Sequence, residues 1–151
     1  MTAETARPLA RYSAFQRRGD FIFLSGVIAV DPTAGLIIRG FDDLPKGAGR
    51  TIGQTGEFPV DMKDGPILAQ SRFRLDRIRA TMEKAGCLMA NVFKLVQYFR
   101  DLDHSPRYNT VRRRVFPDTP PVSTVVEASA MMPSRDILIE VEATTWLPVR
   151  P

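Results

Sequence analysis

Two stretches, Val122–Ala130 and Asp136–Trp146, alternate apolar and polar residues with the period of a pleated strand, and Met131–Arg135 separates them. The pattern predicts a β-hairpin. In the second stretch Ile137, Ile139, Val141 and Ala143 share one face, and Leu138, Glu140, Glu142 and Thr144 share the other. Two carboxylates two residues apart, flanked by Ile and Val, admit two accounts. The face is a solvated sheet surface, or it lines a cleft between subunits where Glu140 or Glu142 is held for chemistry.

Taken in order, residues 1–11 read as a loose arm or a first edge strand. Tyr12-Ser13 lead into a short segment, and Arg17-Arg18-Gly19-Asp20 supplies a turn. Phe21–Val30 is a near-continuous apolar run that predicts a central strand. Gly26 inside it marks a bulge, or a place where a ligand or another backbone comes close. Asp31-Pro32-Thr33-Ala34-Gly35 ends the strand in a tight turn.

From Gly40 to Gly65 the texture changes, with six of the ten glycines in that span and Pro45, Pro59 and Pro66 in or beside it. Its Gly47–Gly53 piece matches neither the dinucleotide fingerprint nor a P-loop. A long surface loop over 40–66 is expected, ordered as a flap by Phe58, Val60 and Met62. Ile67–Ala85 is the clearest helix: Leu68, Leu75, Ile78, Met82 and Ala85 form the stripe, and Gly86 stops it. Arg72, Arg74, Arg77 and Lys84 read as lying mostly away from that stripe. Asn91–Phe99 predicts a strand. Ser105-Pro106 predicts a helix start with serine as the cap; Tyr108, Val111 and Val115 share a face, and Pro117 closes it. His104 reads as a capping or surface residue and Cys87 as a packed small residue.

The order is strand, strand, long loop, helix, strand, helix, strand, strand. It predicts an α+β fold, a mixed and largely antiparallel sheet with two helices on one face. The other face is left bare, and its Val and Ile call for self-association. That favours the cleft account of the carboxylates.

The 151 residues fit a single domain, and 44% hydrophobic with 25% charged residues is an ordinary globular composition. No stretch is long and apolar enough to span a bilayer, and the opening residues lack a signal-peptide core, so a cytoplasmic location is expected. One cysteine and one histidine exclude an internal disulfide and the usual zinc sites; no metal and no cofactor is expected. The net charge of +4 arises from arginine, with Arg112, Arg113 and Arg114 consecutive. Interleaved acids make a salt-bridged helix face the better account than a nucleic-acid surface.

Set together, these residues resemble the RidA/YjgF family, which contains imine and enamine deaminases. The resemblance rests on Tyr12-Ser13, Phe23-Leu24-Ser25-Gly26-Val27 with Asp31-Pro32, and Lys84-Ala85-Gly86. It continues through Asn91-Val92-Phe93-Lys94, Asp101-Leu102-Asp103, Tyr108-Asn109-Thr110-Val111 with Phe116, Pro121-x-Ser123, and Ile139–Ala143. It implies a chorismate-mutase-like subunit and a barrel-like homotrimer with small-molecule clefts between subunits. It further implies that Glu140 orients and activates a water against a C=N carbon. Tyr12 then matches an aromatic wall, Ser25 and Gly26 the strand that meets the ligand with backbone groups, and Asn109 a polar cleft residue.

One departure stands out. Deaminases of the family carry an arginine before that serine, where it forks onto a substrate carboxylate. This chain has Val122 there, and Thr124 where many members have cysteine. Arg50 and Arg112 are candidates for a substitute anchor. The expected function is a hydrolase that releases ammonia from an imine or enamine other than 2-aminoacrylate. A non-catalytic ligand-binding or regulatory trimer is the alternative, with RNA-directed activity third.

Overall fold

The computed structural model describes residues 10–150, so nearly all of the arm expected over residues 1–11 lies outside it. Phe15–Arg18 (β1) and Phe21–Leu24 (β2) form a hairpin around Gly19, whose φ of 56° suits a tight turn. Val30–Asp31 (β3) and Leu36–Ile37 (β4) form a second, isolated hairpin. Two helices follow, Ala48–Ile52 (α1) and Phe58–Lys84 (α2), then the strand Val92–Phe99 (β5) and the helix Ser105–Val115 (α3). Val122–Glu127 (β6) and Ile139–Trp146 (β7) complete the chain. The main sheet has the order β1-β2-β7-β5-β6, antiparallel except for β5 with β6. This is an α+β fold with a mixed sheet.

The two alternating stretches do not pair with each other. β6 runs parallel to β5, from Lys94↔Val122 to Phe99↔Glu127, and β7 takes the opposite edge of β5. The connection crosses the end of β5: Ala128 N–H donates to Phe99 at 2.8 Å and Arg100 N–H donates to Leu138 at 2.9 Å. A connection through 128–138 is too long to dictate a hairpin, and the apolar β5 binds both strands.

The expected loop over 40–66 is largely structured. α2 begins at Phe58, ahead of the expected Ile67, and passes through Gly65 and Pro66. Pro59 falls in the first turn, where its missing N–H is harmless. Gly65 lets the Phe41 ring lie against the helix, because a Cβ there would sit 3.3 Å from two ring carbons. Asp61 accepts the Thr55 and Gly56 N–H groups, each at 2.9 Å, and so fastens the preceding turn to the helix. Tertiary packing thus overrides two local breakers. At the other end Gly86, φ 78°, donates to Glu83 and Cys87 donates to Met82, the paired bonds of a Schellman stop.

Three further expectations change. The run Phe21–Val30 is a strand only to Leu24 and then leaves the sheet register. Ser105 does not cap α3; Asp101 caps the short 3-10 turn before it, accepting the Asp103 N–H at 2.9 Å. Arg74 lies on the stripe, not off it, and is fully buried. Ile67, Ser71, Arg74 and Ile78 follow one another by four, three and four residues, which places the arginine on the inner face.

The core joins Leu75, Ile78 and Met82 of α2 to Leu95 and Phe99 of β5, Ile139 and Val141 of β7, and Tyr108 and Val111 of α3. The opposite sheet face is bare among the described residues. Phe21, Phe23, Phe93 and Trp146 are 39–49% exposed there, and all six residues of β6 are exposed. No helix of the described residues is long and apolar enough to cross a membrane.

Ile78→Ala should lose about 2–5 kcal/mol in urea unfolding, because it empties a closed core position. Phe58→Ala, at a position 75% exposed on the same helix, should change stability by less than about 0.5 kcal/mol.

Candidate functional site

The centre of the site is a mismatch between β2 and β7. Phe23 pairs with Thr144, and the next pair is Val27 with Val141. Four steps along one chain match three along the other, so Ser25-Gly26 form a bulge, as the glycine predicts. The bulge is pinned on both sides. Val27 and Val141 exchange N–H···O bonds of 2.7 and 3.1 Å, Ser25 N–H donates to Ala14 at 3.0 Å, and Ser25 Oγ donates to the Ser13 carbonyl at 2.6 Å.

Gly26 has a specific steric reason. A Cβ there would lie 1.9 Å from Glu140 Oε1 and 2.9 Å from its Cδ. The carboxylate therefore fills the space that a side chain at 26 would take. Together Tyr12, Ser25, Gly26, Ile28 and Glu140, with Met132 and Pro133, enclose an open cavity of about 590 Å³. Tyr12 and Ile28 give it apolar walls, and among the described residues Glu140 is its only acidic group.

Partial burial raises the Glu140 carboxyl above its usual range. Arg74 opposes that rise and Glu142 adds to it. A carboxylate so placed has a proton affinity closer to neutral pH, as acid–base work requires. Arg74 is the residue the sequence reading missed at this site. Its spacing with Ile67, Ser71 and Ile78 was the available signal. It donates Nη1 to the Val27 carbonyl at 2.9 Å, and burial pulls its pKa down to about 9, still cationic at neutral pH.

The structure gathers Tyr12, Ser25, Gly26 and Glu140 around one cavity. It does not bring Asn109, Val122, Thr124, Arg50 or Arg112 to the cavity wall within this subunit. Val122 and Thr124 stand exposed on β6, and Arg50 is exposed on α1. Asn109 is half-buried on α3. Arg112 is fixed behind β6: its Nη1 donates to Gln97 Oε1 at 3.1 Å and Ser123 Oγ at 3.0 Å. Its guanidinium lies 5.9 Å from the Tyr108 ring centre.

Residues 45–146 match the family model described as Endoribonuclease L-PSP. A 2-iminobutanoate/2-iminopropanoate deaminase of Escherichia coli is 31% identical over 116 residues, covering 72% of this chain and 85% of its own. A RutC family protein of Pyrococcus horikoshii is 29% identical over 145 residues, covering 96% and 94%. Among solved structures, one from Klebsiella pneumoniae, described as a candidate endoribonuclease, is 57% identical. It covers 91% of this chain and 100% of its own with a TM-score of 0.89. The RidA structure from an Antarctic Psychrobacter species has a TM-score of 0.72 at 19% identity, a likeness of fold; it covers 97% of each chain.

Gly26→Ala should fold with a Tm within a few degrees of the parent, because its clash is with the mobile end of a side chain. Glu140 should swing out and titrate lower, nearer an ordinary carboxylate, in a 13C-carboxyl NMR titration. A midpoint equal to the parent's would show that Gly26 does not hold it.

Proposed function

The chain belongs to the RidA/YjgF/RutC family, and from that premise we propose that it is a hydrolytic deaminase of an imine or enamine. The observation that carries the reading is Glu140, a partly buried carboxylate with raised proton affinity in a cavity walled by Tyr12, Ser25 and Gly26. A C=N substrate seated there would present its carbon to a water held by Glu140. The carboxylate takes a proton from the water as the C–O bond forms and passes it to nitrogen, giving a carbinolamine. It then takes the hydroxyl proton as the C=O bond forms and delivers it to nitrogen as the C–N bond breaks. The products are a carbonyl compound and ammonia.

A chorismate-mutase-like homotrimer is part of the proposal. Two observations support it: the bare aromatic face, and β6 exposed along its whole length at the sheet's edge. In such an assembly a neighbour's β6 would bring Val122 and Thr124 to the cavity mouth. Valine offers no fork for a carboxylate, so the substrate in this reading is an imine or enamine other than 2-aminoacrylate. In this reading Arg112 behind Ser123 and Arg50 on α1 are the candidate anchors, Asn109 lines the cleft, and the 40–66 segment shapes specificity in a single-domain subunit of cytoplasmic address.

A second reading, a trimer that binds a small ligand without turnover, draws on the same Val122. RNA-directed activity finds less support, because several of the clustered arginines are engaged within the fold. Arg72 and Arg79 meet Asp76, Arg107 meets Asp64 and Arg74 is buried.

The test is ammonia release from freshly generated imines and enamines, carboxylated and neutral, with Glu140→Ala alongside. Release on at least one substrate, falling about 100-fold or more in the variant, is expected. No release above the buffer rate on any of them would favour the binding trimer.

A further inference from the structure

Arg74 is fully buried, yet of its five N–H donors only Nη1 has a partner; Nε and Nη2 have none among the described residues. It sits on the apolar stripe of α2, where an aliphatic side chain would pack with no charge to bury. A buried guanidinium with two nitrogens left without hydrogen-bond partners is a costly choice for packing alone. Its one contact points to another role. The Val27 carbonyl accepts from Arg74 and from Val141 N–H at once, 2.9 and 3.1 Å away. Val27 is the residue after Gly26, and Gly26 is the seat of the Glu140 carboxylate. We propose that Arg74 is the positioning residue of the Glu140 site: it anchors the bulge from the helix side and supplies the fixed positive charge that keeps Glu140 available as a base.

The inference rests on the deaminase reading and gives that site its missing cation. Without Arg74, burial and Glu142 act on Glu140 in the same direction, and both favour its neutral form. The groups bearing on the pair are few. Glu142 lies on Glu140's own strand and Tyr12 shares the cavity; on α3, Tyr108 faces Arg74 and Arg112 lies over Tyr108. The Tyr108 hydroxyl is buried with no partner among the described residues, and burial holds it protonated well above its usual range. Among the described residues, Glu140 is thus the acid whose charge acts on Arg74.

The sign follows. Loss of the cation raises the Glu140 midpoint, so the acid limb of kcat/KM moves to higher pH. Arg74→Met and Arg74→Lys are compared by 13C-carboxyl titration of Glu140 and by pH–rate profiles, with Tm as the check on folding. In Arg74→Met the midpoint should rise by about one pH unit or more, and the acid limb with it, while KM at high pH changes less than about threefold. Arg74→Lys, which keeps the charge, should stay near the parent. If Arg74→Met fails to fold, Arg74→Gln, which can still donate to Val27, replaces it. An unchanged Glu140 midpoint in a folded charge-removing variant overturns the proposal, as does a lysine variant shifted as far as methionine. The titration needs no substrate, so it decides the role of Arg74 even if no imine is turned over.

Discussion

The approach of the Glu140 carboxylate to the backbone at Gly26 constrains everything around it. Oε1 occupies the place of a missing Cβ, and this works only if the backbone at 26 is held still. The Val27–Val141 pair fixes it on the strand side, Ser25 fixes it to the segment before β1, and Arg74 fixes it from the helix. A bulge supplies the extra residue that turns Gly26 towards the acid. The cavity follows, because chain leaving the register at Leu24 cannot fill the space that a regular strand would cover.

The same arrangement carries opposing electrostatics. An acid half withdrawn from water prefers its proton, while a wholly buried guanidinium prefers a counter-charge. Each charge offsets part of the other's desolvation cost. Such a pair adds little to stability but keeps a reactive carboxylate in a defined state. The bare sheet face gives the subunit a reason to associate, and Phe21 meets Phe93 edge-on at 5.9 Å within that surface. Cavity and bare face adjoin the same strand, β7, whose outer residues serve both.

Much of this was legible in the sequence because period and spacing report directly on faces. The alternation of β7 placed Glu140 and Glu142 opposite the core, and Gly26 inside an apolar run announced the bulge. What failed was non-local or tertiary. Alternation cannot say which edge a strand will take, so β6 and β7 read as a hairpin although β5 lies between them. Gly65 and Pro66 carry strong local signals against helix, yet Phe41 packing on Gly65 outweighs them. The charge of Arg74 argues for exposure, whereas its helical spacing with Ile67, Ser71 and Ile78 places it inside.

The most direct test of Glu140 as the centre of the site is a crystallographic soak with small carbonyl compounds, 2-oxo acids and neutral ketones, the products of C=N hydrolysis. The account predicts a fragment in the cavity among Tyr12, Gly26 and Glu140, its carbonyl oxygen within hydrogen-bond reach of the carboxylate or of a water it holds. Fragments that gather elsewhere, as in the groove between Phe41 and Met62, while the Glu140 cavity takes none, would contradict it.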